Sequence, residues 1–182
     1  MKQKISTRSI VAVGVFAAVI AVLSQISVPM PSQVPITLQT FAIALAGYVL
    51  GWKRGLGAVG VYVLLGAVGV PVFANLTAGF QILVGPTGGF IFGFLGMVIL
   101  CGLGGKQKNK PLASLLSLGG LAVCHLAGAL QFSLVTSTSI GQALLIASVP
   151  YLIKDVVSLA LAYVVGAILR KRLASAGILI YV

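Results

Sequence analysis

The chain has 182 residues, of which 59% are hydrophobic and 7% are charged, and twelve Lys and Arg against one acidic residue give a formal net charge of +11. Soluble domains carry about 25% charged residues, so this composition excludes a soluble globular protein, and it equally excludes a disordered or coiled-coil one. Two cysteines exclude a disulfide scaffold and a thiolate metal cluster.

The apolar runs predict an all-α membrane protein, one domain over residues 1–182 with six transmembrane helices. A helix needs about 20 apolar residues to cross a bilayer, and the run at 9–28 has this length. The run at 55–103 is too long for one helix, and Gly- and Pro-rich stretches divide it into two. The helices are predicted at about 9–28, 37–51, 55–69, 87–104, 112–135 and 150–169.

The apolar run at 9–28 could alternatively belong to a cleavable signal peptide, because the preceding Lys2, Lys4 and Arg8 resemble the charged region of such a peptide. The apolar stretch that follows is long and ends in SVPMPSQVP, without a small-residue cleavage site. We therefore expect this run to be retained as the first membrane helix.

The basic residues predict the orientation of the helices. Lys and Arg concentrate in short cytoplasmic loops, and a cytoplasmic amino terminus followed by six crossings places the clusters at 53–54, 106–110 and 170–172 inside, with the carboxyl terminus. Eleven of the twelve basic residues then lie inside. The charge is thus explained by membrane topology and not by nucleic acid. The outer connections, which carry no charge, lie near 29–36, 70–86 and 136–149.

The outer half of the bundle is predicted to be irregular. The second helix spans only about 21 Å, against an apolar bilayer thickness of about 30 Å. Non-helical backbone at membrane depth is tolerated only when it is buried in protein or lines a water-filled cavity, so we expect an outward-facing ligand pocket. Residues 66–86, called the lid segment below, are uncharged and apolar. They are expected to fold over this pocket, the alternative being a Gly/Pro loop on the surface.

Asp155 is the only acidic residue of the chain and lies in the first turns of the sixth predicted helix. An ionisable residue inside a membrane segment indicates a functional site, although a carboxylate there also offsets the positive end of the helix dipole. We expect Asp155 to accept a hydrogen bond from a ligand N–H. The adjacent Lys154 is expected to face another direction, towards a separate part of the ligand or the outer membrane interface.

Few other polar groups are placed to reach the pocket, and no catalytic or metal site is predicted. His125 has no convincing partner at metal-ligand spacing, so a packing role is expected. The GPTGG run at 85–89 either binds an anion or forms a turn that Thr87 caps, and it lacks the ending of a P-loop. Neither a nucleotide motif nor a catalytic triad is present, so the chain is not expected to be an enzyme. The further candidates are Thr37, Gln39, Thr40, Asn75, Thr77, Gln81 and Tyr151.

The first helix carries two stripes of small residues, one formed by Gly14 and Ala18 and the other by Ala17 and Ala21. Small residues four apart let another helix approach closely. The neighbour is either another helix of this chain or a separate subunit.

Four motifs resemble the BioY family, the biotin-binding S components of energy-coupling factor (ECF) transporters. They are VPITLQTFAIALAGYVLG at 34–51, YVLLGAVGVPVFAN at 62–75, GPTGGFIFGF at 85–94 and PYLIKD at 150–155. The resemblance covers nearly the whole chain. It implies a protein of the bacterial cell membrane that captures extracellular biotin without a cofactor. One transmembrane coupling subunit and two cytoplasmic ATPases would energise uptake, with the Gly14 and Ala18 surface docking on the coupling subunit.

The resemblance also implies roles for the candidate residues. Asp155 would accept from a ureido N–H of biotin, Asn75 would contact the same ring, and Gln39 and Thr87 would add polar contacts. Tyr151 and Phe73 would pack on the bicycle.

Family members often carry Lys three residues after this Asp, where the chain has Ser158. Lys154 or backbone amides would then bind the ligand carboxylate. Three alternatives remain: an S component for another vitamin, a stand-alone facilitator for a small neutral solute, and a membrane scaffold without a ligand.

Overall fold

Seven α-helices and a two-stranded ribbon make up the regular structure of residues 6–177, the part of the chain that the computed structural model describes. The prediction of an all-α fold is confirmed, apart from the small ribbon. The elements are α1 (Thr7–Ser24), β1 (Ser27–Val28), β2 (Ile36–Thr37), α2 (Gln39–Ala67), α3 (Phe80–Val84), α4 (Gly88–Gly104), α5 (Lys110–Thr136), α6 (Ile140–Ala147) and α7 (Val149–Ser175), with a 3-10 turn at Ala74–Leu76.

Helix α2 is bent at Gly51 into two limbs, residues 39–50 and 52–67. Gly51 has φ 75° and ψ 170°, a conformation that glycine adopts without steric cost. The sequence predicted two helices separated by a short loop, and a single glycine makes this connection. Each limb is short compared with a membrane-spanning helix.

The first limb of α2 lies at the centre of the bundle. Most of its apolar side chains are buried, and Ile43 and Val49 are fully so, whereas Phe41 is partly buried. Helices α1, α4 and α7 pack around α2, α5 packs on α4, and α6 lies between α5 and α7. Small residues permit this packing in lipid, where close van der Waals contact takes the place of a hydrophobic driving force. A methyl group at Gly102 of α4 would lie 2.4 Å from the backbone nitrogen of Trp52.

The outer surface of the helices is apolar. Leu134 and Ile153 are 73% and 80% exposed, and many other large aliphatic side chains are exposed in the same way. Such a surface is suited to lipid and would aggregate in water. Within residues 6–177, α1, α5 and α7 have the length and apolarity to cross a membrane, and α4 is a shorter apolar helix of 17 residues.

Two predicted connections contain regular structure that the sequence analysis missed. Residues 27–28, assigned to the first helix, pair in antiparallel fashion with residues 36–37, so that α1 ends at Ser24 and α2 begins at Gln39. The prolines between the strands cannot continue a helix, which favours an extended ribbon. The connection at 136–149 contains α6, which begins with a capping box formed by Ser139 and Gln142.

The basic clusters meet at one end of the bundle. The Arg170 guanidinium donates to the Gly105 carbonyl, which joins α7 to the turn after α4. Lys106 in that turn approaches the bend at Gly51, next to the basic pair at 53–54. Asp155 lies about 22 Å farther along α7 at 1.5 Å per residue, near the opposite end.

Candidate functional site

A cavity of about 210 Å³ lies at the end of the bundle away from the basic clusters. Its walls come from residues 33–40, the lid segment, the start of α4, the middle of α5 and the start of α7. The seven predicted ligand-binding residues all line this cavity, namely Gln39, Phe73, Asn75, Thr87, Tyr151, Lys154 and Asp155.

Asp155 is held in the cavity wall by the side chains of Thr40 and Lys154, and it lies beside His125. It is only 3% exposed. Its Oδ1 accepts a hydrogen bond from the Thr40 hydroxyl at 2.5 Å and also contacts the Lys154 ammonium. Its Oδ2 lies 3.2 Å from Nε2 of His125. The carboxylate is therefore fixed in orientation before any ligand arrives.

Lys154 turns back onto Asp155, so the prediction that the two side chains face different directions is wrong. Nζ of Lys154 contacts Oδ1 and donates to the Thr37 carbonyl at 2.9 Å and to the Thr40 hydroxyl oxygen at 3.3 Å. The flexible four-carbon stem of lysine lets its ammonium reach around the helix. The ion pair offsets the cost of placing the chain's only acid in a buried position.

His125 is part of the site, although the sequence analysis assigned it a packing role. The ring is 5% exposed and lines the cavity. Its Nε2 is close to Oδ2 of Asp155, but neither ring nitrogen makes a hydrogen bond within residues 6–177. The ring also packs edge-on against Phe90 at 5.9 Å between centroids. The only signal in the sequence was that the single His and the single acid both lie in apolar helices.

Tyr151 closes one side of the cavity. Its hydroxyl donates to the Val34 carbonyl at 2.6 Å and lies 2.6 Å from Oγ of Ser32. The ring packs with Phe132 of α5 and Ala147 of α6. These contacts fasten the chain before β2 to the start of α7 and leave an aromatic wall.

Gln39 is engaged with other side chains of the protein. Its Nε2 donates to the Tyr62 hydroxyl at 2.7 Å, and its Oε1 accepts from the Thr37 hydroxyl at 3.1 Å. This arrangement orders the start of α2 beneath the cavity. Direct contact between Gln39 and a ligand stays a prediction.

The lid segment is fixed by Gln25, which the sequence analysis did not single out. Nε2 of Gln25 donates to the carbonyls of Val72 and Phe73 at 3.1 and 3.2 Å. Oε1 of Gln25 accepts from the backbone N–H of Leu76 at 2.9 Å. A single amide at the end of α1 therefore orders the stretch that carries Phe73 and Asn75.

Phe73 and Asn75 occupy the base and the rim of the cavity. Phe73 is 1% exposed and meets Tyr62 edge-on at 5.6 Å. Its ring lies over Gly66, where a methyl group would be 2.1 Å from the ring. Asn75 has a left-handed φ of 57°, and its Oδ1 accepts from Oγ of Ser27 at 2.6 Å. The amide N–H groups of Asn75 have no partner within residues 6–177 and remain available.

Thr87 occupies the N-cap position of α4, but its side chain makes no capping hydrogen bond, so the prediction that it caps this helix is wrong. The hydroxyl lines the cavity instead. Gln131 of α5 holds the preceding turn by donating to the carbonyls of Leu83 and Gly85 at 2.7 and 2.8 Å. Gly88 is needed there because a methyl group would lie 1.9 Å from the Leu83 carbonyl oxygen.

The two stripes of small residues on α1 have different surroundings. Ala17 is buried and the partly buried Ala21 packs against the core, so this stripe contacts other helices of this chain. The sequence left open whether such a stripe contacts this chain or a separate subunit, and docking through Ala17 and Ala21 stays a prediction. Gly14 and Ala18 are exposed, and nothing lies within 4 Å of a methyl group placed at Gly14.

Known proteins resemble this chain over nearly its whole length. A family model described as the BioY family matches residues 1–181. The "Biotin transporter BioY" of Thermotoga maritima is 39% identical, covering 90% of this chain and 96% of that protein. The "Probable biotin transporter BioY" of Pyrococcus horikoshii is 38% identical, covering 85% and 91%. A crystal structure titled as the S-component for biotin from an ECF-type ABC transporter superposes with a TM-score of 0.81 at 25% identity, covering 94% of this chain and 95% of that one. On these matches, the chain belongs to the BioY family.

Proposed function

We propose that this chain is the biotin-capturing S component of an ECF-type uptake transporter in the bacterial cell membrane. The observation that carries the proposal is the cavity, in which the chain's only acid is buried, paired with Lys154 and oriented. The near full-length similarity to biotin transporters supports biotin as the ligand. The role is binding and transport, not catalysis.

The cavity matches the chemistry of biotin. Phe73, Phe90 and Tyr151 offer aromatic surface to the apolar bicycle. Asp155 offers an acceptor for a ureido N–H, and the free amide of Asn75 can donate to the ring. A hydrogen bond left unmade in a closed site costs about 1–3 kcal/mol, so these few polar groups select the ligand.

The membrane topology proposed here has six crossings, supplied by α1, the two limbs of α2, α4, α5 and α7. Helices α3 and α6 border the cavity and do not cross. Because Lys and Arg favour the cytoplasm, the basic end is cytoplasmic, both termini lie there, and the cavity opens outwards. The outward opening gives biotin access from outside the cell.

The topology is tested with single cysteines and a membrane-impermeant maleimide in whole cells. Cys101 and Cys124 are buried, so background labelling is expected to be low. Ser137→Cys, after α5, should be labelled, and Lys108→Cys, before α5, should react only after lysis. The opposite pattern would invert the proposed orientation.

The energy for uptake is proposed to come from one transmembrane coupling subunit and two cytoplasmic ATPases. This rests on the similarity to an ECF-type S component and on the sequence, which contains no nucleotide-binding motif. The exposed Gly14 and Ala18 stripe is the proposed docking surface, since small residues permit close helix approach.

The function itself is tested by calorimetric titration of the detergent-purified protein with biotin, after mass spectrometry of any co-purified small molecule. Saturable one-to-one binding is expected. Uptake into vesicles should require the coupling subunit and the ATPases. Failure to bind biotin would refute the proposal, and flux through vesicles that contain only this chain would favour a facilitator.

A further inference from the structure

The imidazole of His125 contacts Oδ2 of Asp155 through Nε2 at 3.2 Å, but it makes no hydrogen bond within the described residues. The ring is 5% exposed and lines the cavity, yet both of its nitrogens lack a hydrogen bond within residues 6–177. A neutral imidazole carries one N–H donor and one acceptor. Buried polar groups are nearly always hydrogen-bonded, so an unpartnered ring in a cavity wall indicates that its partner is a ligand.

The two carboxylate oxygens of Asp155 differ in whether they accept a hydrogen bond from the protein. Oδ1 of Asp155 is engaged by the Thr40 hydroxyl and the Lys154 ammonium. Oδ2 lies 3.2 Å from Nε2 of His125, but the ring geometry does not direct an N–H at it. An acceptor and a potential donor therefore stand side by side in the cavity wall, each without a hydrogen bond to the other.

An ionised carboxylate alone cannot satisfy a cyclic urea. It only accepts hydrogen bonds, whereas each edge of a cyclic urea presents an N–H donor next to a carbonyl acceptor. The carbonyl needs a donor beside the carboxylate. Among the groups that line the cavity, His125 is the one whose side chain lies next to Oδ2.

We propose that Oδ2 of Asp155 and Nε2–H of His125 act together as an acceptor–donor pair that reads one N–H/C=O edge of the ureido ring, an inference that rests on the proposed function. The ureido N–H donates to Oδ2, and the ureido carbonyl accepts from Nε2–H. Two adjacent hydrogen bonds of this kind set the orientation of the ureido ring and also strengthen its binding. His125 is thus a specificity-determining residue that requires a carbonyl, and not another donor, at that ring position.

2-Iminobiotin tests this requirement, because its cyclic guanidine is protonated at neutral pH and has only donors where biotin has a carbonyl. The wild-type protein should bind biotin much more tightly than 2-iminobiotin in calorimetric titrations. In His125→Leu, the affinity for biotin should fall tenfold or more, whereas the affinity for 2-iminobiotin should fall much less. The ratio of the two dissociation constants should therefore fall by about tenfold.

Ser117→Ala is the matched control, since Ser117 is a buried polar residue of α5 whose hydroxyl bonds the Ala113 carbonyl at 2.8 Å away from the cavity. Both affinities should be unchanged there. His125→Gln retains a donor and should keep most of the discrimination. A ratio that is unchanged in His125→Leu would overturn the proposal, because a ring with only a packing role would weaken both ligands equally. A wild-type protein that binds neither ligand would overturn the proposed function as well.

The wild-type protein provides a test that needs no substitution, because His125 is the only histidine of the chain. Protein labelled with 15N-histidine, and purified through a tag without histidine, gives one imidazole spin system. The spectrum should show the proton on Nε2, and saturation with biotin should shift that resonance. A proton on Nδ1, or a spectrum that biotin leaves unchanged, would overturn the proposal.

Discussion

Asp155→Asn keeps the shape of the side chain and removes its charge. The amide has two possible orientations. If its oxygen stays with Thr40 and Lys154, as Oδ1 does now, its NH2 group faces the ureido N–H, so that donor meets donor. If the amide turns over, its NH2 group faces the Lys154 ammonium and displaces it. In both orientations a contact made by the carboxylate is lost.

The size of the loss in biotin affinity follows from the hydrogen bond that the substitution removes. A hydrogen bond to a charged group contributes about 1.5–3 kcal/mol, and each 1.4 kcal/mol changes a dissociation constant about tenfold. Asp155→Asn should therefore weaken biotin binding roughly 10- to 100-fold. The fold should survive, since the side chain of Lys154 is 29% exposed and its ammonium also contacts the Thr37 carbonyl.

The assay is calorimetric titration of purified variants, with thermal unfolding as the check on folding. Thr40→Val is the matched control, because it removes a neutral donor to Oδ1 and leaves Oδ2 unchanged. It should cost only a few-fold in affinity. An Asp155→Asn protein that binds biotin within threefold of wild type would refute the reasoning. Equal losses in both variants would show that the carboxylate is structural.

Two further predictions concern packing and docking. Gly66→Ala places a methyl group 2.1 Å from the Phe73 ring. The resulting overpacking, about 1–3 kcal/mol, should lower the unfolding temperature and weaken biotin binding. Gly60→Ala is the control, because nothing lies within 4 Å of a methyl group there, and it should change neither property. Gly14→Leu fills the exposed stripe of α1 and should abolish energised biotin uptake in vesicles while leaving binding intact. Gly119→Leu, at an equally open position of α5, should leave both unchanged, and loss of uptake in this control would remove the case for docking at Gly14.

The helical fold could be anticipated because the bilayer allows few solutions. Backbone groups in lipid must be satisfied within the helix, so long apolar runs predict helices directly. The sequence analysis did not predict the ribbon and α6, because both are too short to be identified from an apolar pattern. The capping box of Ser139 and Gln142 was a usable local signal for α6.

The cavity wall could be anticipated less well, because its contacts join residues distant in the chain. His125 and Asp155 lie on α5 and α7, and no local pattern shows that Nε2 and Oδ2 come within 3.2 Å. The error over Lys154 has another cause. The helical angle between neighbours fixes the direction of Cβ, whereas a lysine ammonium four carbons farther out can return to the adjacent residue.

The position of the Lys154 ammonium limits how the rest of the ligand is bound. It is engaged with Asp155, Thr37 and Thr40, so it is not free to pair with the carboxylate of a biotin tail. Breaking the Lys154–Asp155 pair would leave the buried carboxylate of Asp155 without a counter-charge. This loss is larger than the gain from an exposed ion pair between Lys154 and the ligand carboxylate. The tail is therefore expected to reach neutral donors or the open mouth of the cavity. The Thr87 hydroxyl, which has no partner within residues 6–177, is one such donor. A paired acid that holds a neutral ring then explains how a site with one carboxylate binds a ligand that is itself an anion.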